Sequence, residues 1–456
     1  MEYYLKIIQY TLDIVCSFAL AEKTFQDETV SAEYISQSDS EALISQIDEF
    51  SKLFDFQDVQ VLSDGVLNGF NESEFLEAMR KDHPHAHLNV IGMIDLYEYK
   101  SEVHKVETED QYILELHRIT GNKTVPSPHG KPVVFIMHGI LASSSDWVIA
   151  GPERGLGFFL ADAGYDVWMG NARGNRYSRV HKCLSTKQKK FWKFSWHEIG
   201  IYDLPAMIDY VLNTTNNKDL SYIGHSQGST SFLVMLSERP EYNDKIRVMF
   251  SLAPVAYCSN MYSPIMRYLS KFEKSIRVVL DRVGPWELLP NRGLYKLITS
   301  SVCKGSFQKI CRNILFIVCG FNDEQFDISL MPAISAHLPA GSSIYQLFHY
   351  AQLIKTGHFR QFDEKILGSS NPPSYNFKNI KTPISLIYAD NDWLSDAKDV
   401  KKLYSKLPNP IDMRAVPNKK FNHIDFLYGI DVKTLVYDDI LKTMLDYQNI
   451  SNAIVP

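Results

Sequence analysis

Short apolar runs alternate with helix-like segments through the middle of this chain. The runs occupy residues 132–138, 165–169, 220–223, 247–252, 383–389 and 412–416. Their length and apolar character are typical of strands that are buried on both faces of a sheet. Residues 199–212, 227–237 and 431–447 are predicted to form helices between or after these strands. The alternation predicts an α/β fold in which helices cover a mainly parallel sheet.

The strand–helix alternation breaks between residues 257 and 378. Met, Phe, Tyr and Leu recur there at helical spacing, and helices are predicted over 263–283, 293–303 and 343–356. We expect this insertion to form a mostly helical cap over the active site. A second, unrelated helical domain is the alternative, but the sheet pattern resumes after it. The predicted sheet domain is therefore split into residues 88–256 and 379–456.

The N-terminal 87 residues lack the strand–helix pattern. Residues 1–21 contain Lys6, a broadly apolar stretch and small residues at the end, as a secretory signal peptide does. Asp13 interrupts the apolar stretch, so an amphipathic helix is the alternative. Residues 22–87 are polar with acidic patches and are interpreted as an N-terminal extension or pro-segment. A secretory route would make glycosylation acceptors of the four Asn-x-Ser/Thr sequons, Asn71, Asn122, Asn213 and Asn449.

Composition and charge exclude several other classes. The chain has 456 residues, of which 45% are hydrophobic and 22% charged, a globular composition. A formal net charge of -6 gives no electrostatic footprint for nucleic acid. No apolar run approaches the roughly 20 residues that a membrane-spanning helix needs, so no transmembrane anchor is expected. The six cysteines contain no CxxC pair, which argues against a zinc site.

The strongest chemical signal is Gly224-His225-Ser226-Gln227-Gly228. It fits the G-x-S-x-G nucleophile elbow, and a predicted strand precedes it while a predicted helix follows it. A serine hydroxyl attacks a carbonyl only when a base removes its proton. Ser226 is therefore the predicted nucleophile.

Two backbone amides are expected to stabilise the oxyanion that such an attack creates. The helix after Ser226 points its free N–H groups at the reacting carbonyl, which makes the N–H of Gln227 one donor. The second should come from the loop after an earlier strand. His138-Gly139-Ile140-Leu141 follows the strand at 132–138, and the N–H of Ile140 is our choice.

The base should be a histidine, in the chain order serine, acid, histidine. His423 lies between the last predicted strand and the last predicted helix, whereas His337, His349 and His358 fall in the predicted cap. The acid should follow the strand at 383–389, where three aspartates compete. Loop position does not separate Asp390 from Asp392, and Asp396 suits the N-cap of the next helix.

Four short segments carry a resemblance to a known family. HGILAS (138–143), GHSQG (224–228), NDWLSD (391–396) and NHIDF (422–426) resemble the acid lipases, which include gastric and lysosomal acid lipases and their invertebrate relatives. The resemblance extends from about residue 88 to residue 447. It also includes residues 95–119, 160–175, 191–212 and 252–258 in the same order.

This resemblance implies the α/β-hydrolase fold with a cap and a mobile lid. The family's triad falls on Ser226, Asp392 and His423, which resolves the choice between the aspartates, and its oxyanion amides fall on Ile140 and Gln227. Its cap disulfide falls on Cys303 and Cys311 and leaves Cys319 free. The spacing of these cysteines is one residue shorter than in the gastric enzymes, and Ser395 stands where the family has alanine.

The expected function is hydrolysis of carboxylic esters of lipids at a lipid–water interface, without a metal or organic cofactor. Triacylglycerol, cholesteryl ester, retinyl ester and phospholipid all remain candidate substrates. A carboxylesterase of smaller esters is the first alternative, although the apolar cap favours long acyl chains. A non-catalytic lipid-binding protein is the second, and the presence of the whole triad argues against it. The expected location is secreted or lysosomal.

Overall fold

The computed structural model describes residues 83–284, 286–291, 308–365 and 371–454. The predicted signal peptide, most of the predicted extension and the helix predicted over 293–303 lie outside these residues. The strands are β1 (Ser101–Glu107), β2 (Tyr112–Ile119), β3 (Val133–Met137), β4 (Asp166–Met169), β5 (Val180–His181), β6 (Leu220–His225), β7 (Ile246–Leu252), β8 (Glu287–Leu288), β9 (Ser342–Ser343), β10 (Ile384–Tyr388) and β11 (Pro410–Ala415).

Helices follow most of these strands and fill the insertion. They are α1 (Val90–Leu96), α2 (Leu156–Asp162), α3 (Lys189–Trp192), α4 (Trp196–Glu198), α5 (Leu204–Thr215), α6 (Gln227–Glu238), α7 (Pro264–Val283), α8 (Gln308–Cys319), α9 (Met331–His337), α10 (Ile344–Thr356), α11 (Ala397–Tyr404), α12 (Asp425–Tyr428) and α13 (Asp438–Ile454). Two π-helical turns, Ile199–Asp203 and Lys433–Tyr437, lead into α5 and α13.

All described strands except β8 and β9 form one large sheet with the order β1-β2-β4-β3-β6-β7-β10-β11, in which β5 pairs with β2. The pairs from β4 through β11 are parallel, whereas β1, β2 and β5 pair antiparallel at one edge. The prediction of a mainly parallel sheet is confirmed. The chain passes from β3 to β4 on one side and then to β6 on the other, so the strand order reverses between β3 and β6. α/β proteins bind ligands in the crevice at the carboxyl ends of the strands where the order reverses in this way.

The buried strands divide their side chains between two apolar layers. In β3, Phe135 and Met137 pack into one layer while Val134 and Ile136 pack into the other. This alternation follows from the two-residue period of a strand, and it is why these strands are apolar at every position. Helices α5 and α6 contribute to the first layer, and α2 and α13 contribute to the second. The strands whose ends carry the candidate residues are thus packed on both faces.

The insertion contains α7, α8, α9 and α10 and the short β8–β9 pair, which is separate from the large sheet. One part of the predicted extension belongs with the sheet domain instead. Pro84–His87 form a 3-10 helix, and buried His85 bonds to the Ile149 carbonyl at 2.8 Å and to the Tyr97 hydroxyl at 2.9 Å. Across the described ranges, no helix has both the length and the apolar character to cross a membrane.

A buried carboxyl in the loop after β3 makes the stability of the fold depend on pH. Asp146 lies in the 3-10 helix Ser144–Trp147, and burial raises the pKa of its carboxyl to about 8. The unfolded chain releases this proton near pH 4, so the folded state holds one extra proton between about pH 4 and pH 8. Stability is therefore lost as pH rises through that window.

Asp146→Asn is expected to raise the melting temperature at pH 8 and to leave it nearly unchanged at pH 4. The amide has a similar shape but never ionises, so it removes a cost that approaches about 5 kcal/mol by pH 8. Thermal unfolding of both proteins at pH 4, 6 and 8 measures this. A difference in melting temperature that stays constant across the three pH values would show that Asp146 ionises normally.

Candidate active site

Ser226 lies at the sharp turn between β6 and α6. Its backbone has φ 52° and ψ -115°, a conformation that residues other than glycine rarely adopt. Its N–H donates to the Leu252 carbonyl of β7 at 2.9 Å, and its own carbonyl accepts from the Ser229 N–H at 2.9 Å. Backbone strain that the surrounding structure maintains in this way is a property of nucleophile elbows.

The two glycines of the motif are required by close packing. A Cβ on Gly224 would lie 2.8 Å from the backbone of Gly228, and a Cβ on Gly228 would lie 2.2 Å from the Met137 carbonyl of β3. No side chain can occupy either position without moving main chain. The strand and the helix can therefore approach closely only with glycine two residues before and two residues after Ser226.

The predicted oxyanion amides are Ile140 and Gln227. Neither N–H donates a hydrogen bond to any other residue that the structure describes. Gln227 is the first residue of α6, where the N–H has no partner within the helix. Gly139, which precedes Ile140, packs against the elbow, since a Cβ there would lie 3.3 Å from the Ser226 Cβ. Both amides thus belong to chain segments that meet at the serine.

The predicted acid and base form a direct hydrogen bond. His423 Nδ1 donates to Asp392 Oδ2 at 2.7 Å, and both side chains are buried. The other carboxylate oxygen of Asp392 accepts from the N–H groups of Leu394 and Ser395, both at 2.8 Å. These bonds fix the carboxylate, which in turn holds the imidazole with its proton on Nδ1 and its Nε2 free to accept.

The other two aspartates of this loop have different partners. Asp390 forms an exposed ion pair with Lys419 at 2.5 Å, and Asp396 caps α11 by accepting from the Lys398 N–H at 2.8 Å. The three aspartates of this loop therefore differ in their partners, and of the three only Asp392 binds the candidate base.

His225 connects the elbow to the loop of the candidate base. Its Nε2 donates to the His423 carbonyl at 2.9 Å, and the two rings lie 4.8 Å apart. Burial first, and the electrostatic influence of the neighbouring His423 ring second, keep the pKa of His225 well below its usual value. The Ser226 hydroxyl and His423 share no hydrogen bond within the described residues, and such contacts often tighten only when substrate binds. Sequence analysis missed His225, although its place inside the motif was visible.

The cap contacts both the nucleophile helix and the acid and base loops. Gln227 Nε2 donates to Gln346 Oε1 of α10 at 2.6 Å. The Cys319 carbonyl at the end of α8 accepts from the N–H groups of Trp393 and His423, both at 3.3 Å. The Cys319 carbonyl of the insertion thus binds the backbone of both His423 and Trp393, the residue after Asp392.

A second serine–histidine pair, Ser195 and His349, has a different environment. Its atoms Ser195 Oγ and His349 Nδ1 are 3.0 Å apart, but His349 Nε2 donates to the Arg360 carbonyl rather than to a carboxylate. Ser195 has extended backbone and serves as the N-cap of α4, with Glu198 completing a capping box. Burial holds the pKa of His349 well below its usual value. This pair therefore stabilises the helix and the cap.

The remaining predicted sites are only partly within the described residues. Cys311 is disulfide-bonded, while Cys183, Cys258 and Cys319 are free. Cys303 lies outside the described residues, so its pairing with Cys311 stays a prediction. Asn213 is exposed and Asn122 is half-buried. Glycosylation at these two positions, and at Asn71 and Asn449, stays a prediction.

A strained serine at the turn after β6 and a carboxylate-bound histidine in the loop after β11 define a serine hydrolase of the α/β-hydrolase class. Two family models agree, since residues 132–279 match the alpha/beta hydrolase fold and residues 90–151 match a partial alpha/beta-hydrolase lipase region. A solved structure from Sulfolobus solfataricus superposes with a TM-score of 0.53 at 15% identity, covering 76% of this chain and 94% of its own. That likeness concerns the fold alone.

Curated relatives identify the family. Lipase 3 of Drosophila melanogaster is 45% identical over 77% of this chain and 91% of its own length. Human lysosomal acid lipase/cholesteryl ester hydrolase is 38% identical over 80% of this chain and 92% of its own. Bovine gastric triacylglycerol lipase is 37% identical over 82% and 94%. The chain belongs to the acid lipase family and is an ester hydrolase.

Proposed function

We propose that this chain hydrolyses triacylglycerol, cholesteryl ester or both through a covalent acyl-enzyme on Ser226. The hydrogen bond of 2.7 Å between His423 and Asp392 carries the proposal, because it keeps the proton on Nδ1 and leaves Nε2 able to accept another. The His423 carbonyl also binds His225, the residue before Ser226, at 2.9 Å. His423 removes the hydroxyl proton as Ser226 attacks the ester carbonyl. The N–H groups of Ile140 and Gln227 stabilise the oxyanion, and the alcohol leaves with a proton from His423. Water repeats the sequence and releases the fatty acid.

The insertion packs apolar side chains on the helix that contacts the nucleophile elbow. Ile344, Tyr345 and Phe348 of α10 form an apolar cluster with partly buried Ile276 and Leu280 of α7. Gln346, on the same helix, contacts the residue that follows the nucleophile. The apolar side chains of this cluster are buried against one another, so the expectation of long acyl chains comes from the acid lipase family to which the chain belongs. The names of the human and bovine relatives indicate cholesteryl ester and triacylglycerol as the first substrates to test.

Turnover on matched emulsions of triolein and cholesteryl oleate from pH 4 to pH 8 tests this function. We expect hydrolysis of at least one emulsion, with a higher rate than on soluble p-nitrophenyl acetate at equal ester concentration. Turnover confined to the soluble ester would instead indicate a small-ester carboxylesterase. Absence of both turnover and labelling by a fluorophosphonate would indicate a lipid-binding protein without catalysis.

We also infer that the protein follows the secretory pathway to the medium or the lysosome. The lysosomal and gastric enzymes among its relatives and the exposed sequon at Asn213 support this route. Expression of the full chain in cells tests this route, when the ester hydrolysis assay is applied to the medium, the lysosomal fraction and the cytosol. Glycosylated enzyme is expected in the medium or the lysosomal fraction, and recovery only from the cytosol would contradict the route.

A further inference from the structure

His138 lies directly before the loop of the first oxyanion amide, and both of its ring nitrogens are engaged. Nε2 is 3.1 Å from the Ala172 backbone nitrogen and 3.2 Å from Asn175 Nδ2, while Nδ1 is 2.7 Å from the Gly139 carbonyl oxygen. A backbone N–H can only donate, so Nε2 carries no proton. The proton must be on Nδ1, which donates to the Gly139 carbonyl. Burial lowers the pKa of His138 to about 4, which keeps this tautomer neutral.

This hydrogen bond controls the direction of the neighbouring amide. In a trans peptide the C=O and the next N–H point in opposite directions, so the position of the Gly139 carbonyl sets the direction of the Ile140 N–H. Gly139 has no Cβ, and rotation of this peptide would otherwise cost little. Rotation would turn a carbonyl oxygen instead of an N–H toward the developing negative charge. A fixed donor to the Gly139 carbonyl removes that alternative.

The other side of the loop is held by the cap. Leu141, the residue after Ile140, has a left-handed backbone with φ 61°, and its carbonyl accepts from the Ala340 N–H at 2.6 Å. The Ile140 N–H lies between these two anchors and has no acceptor among the described residues. An amide that is fixed on both sides and has no acceptor of its own is preorganised for an anion.

We propose that His138 is a positioning residue that directs the Ile140 N–H into the oxyanion hole through the Gly139 carbonyl. The proposal rests on the proposed function, because it needs an oxyanion at Ser226. His138 does not touch the substrate. Its contribution is made in the transition state, so its loss should lower kcat and leave KM nearly unchanged.

Two substitutions separate the bond to Gly139 from the bonds to Ala172 and Asn175. Asparagine can place an amide nitrogen near the position of Nδ1 and still donate to the Gly139 carbonyl. Glutamine can place an amide oxygen near the position of Nε2 and still accept from Ala172 and Asn175. His138→Gln is expected to lower kcat on p-nitrophenyl butyrate by about 100-fold or more with KM changed less than about threefold. His138→Asn should keep kcat within about tenfold of the wild type.

A pair of inhibitors supplies a measurement that does not depend on how much protein folds. A trifluoromethyl ketone accepts the Ser226 oxygen at its carbonyl carbon, and its carbonyl oxygen becomes an oxyanion, whereas an ether of the same chain length cannot. In the wild type the ketone should bind more tightly than the ether, and the ratio of the two inhibition constants measures this preference. The preference should be about 100-fold smaller in His138→Gln. An unchanged ratio in His138→Gln, or an equal loss of kcat in both variants, would overturn the role of His138. A wild-type enzyme that neither hydrolyses esters nor binds the ketone would overturn the proposed function itself.

Discussion

Ser226→Ala is expected to lower kcat for p-nitrophenyl butyrate by at least about 1,000-fold while the protein keeps its fold. The change removes the attacking oxygen, and neither of the adjacent residues of the motif, His225 and Gln227, carries a hydroxyl that could replace it. Alanine has nearly the same volume and inherits the strained backbone of φ 52°, so the surrounding packing should be preserved. Steady-state kinetics gives the activity, and circular dichroism with a thermal melt confirms that the variant is folded.

Ser195→Ala is the matched control for this variant. Ser195 is also a buried serine within 3.0 Å of a histidine nitrogen, but it caps α4 and its partner His349 has no carboxylate. We expect kcat/KM within about threefold of the wild type and a loss of about 1 kcal/mol in the free energy of unfolding. Normal turnover in Ser226→Ala would show that Ser226 is not the nucleophile. An inactive Ser195→Ala that remains folded would also contradict this assignment.

Asp392→Asn is expected to lower kcat by about 1,000- to 10,000-fold with little change in stability. The two N–H groups of Leu394 and Ser395 would retain the amide oxygen at the position of Oδ1. The amide nitrogen would then face His423 Nδ1 as a donor. It would favour the tautomer with the proton on Nε2, and that tautomer cannot accept the proton of Ser226. The loss should appear in kcat rather than in KM.

Asp390→Asn and Asp396→Asn are the controls, because each replaces another aspartate of the same loop by asparagine. Asp390 contributes only an exposed ion pair with Lys419, and solvent screens such pairs strongly. Asparagine is as good an N-cap as aspartate, so α11 should be unaffected in Asp396→Asn. Both variants should retain kcat/KM within about threefold. If Asp390→Asn proved as inactive as Asp392→Asn, the assignment of the acid would be wrong.

The parallel strands and their connecting helices follow from local pattern. The run at 132–138 becomes β3 at Val133–Met137, and the run at 247–252 becomes β7 at Ile246–Leu252. Strands of this kind are buried on both faces, so every position is apolar and the signal is strong. The antiparallel edge strands β1 and β2 were not predicted. In β1 most positions are exposed or half-buried, so its sequence SEVHKVE has no apolar run to recognise.

The nucleophile was equally determined by local sequence. Gly224, Ser226 and Gly228 lie within one tight turn. The exposure of the serine in that turn depends on the glycines two residues before and two residues after it. The acid was different, since Asp390, Asp392 and Asp396 share one loop and one charge. Which of them faces the histidine depends on the direction in which the loop turns each side chain. The family resemblance selected Asp392, and in the structure this carboxylate accepts the hydrogen bond of His423 Nδ1.

The sequence by itself determined the α/β fold class and predicted the elbow at Ser226 and the base at His423, because each depends on residues that are neighbours in the chain. The tertiary structure alone showed the strand order, the hydrogen bond between Asp392 and His423, and the hydrogen-bond partners of His138 and His225. Those features depend on atoms that folding brings together across as many as 198 residues, as between His225 and His423. A local pattern records which side chains are buried, whereas a hydrogen bond between distant segments exists only once the sheet has brought its strand ends together.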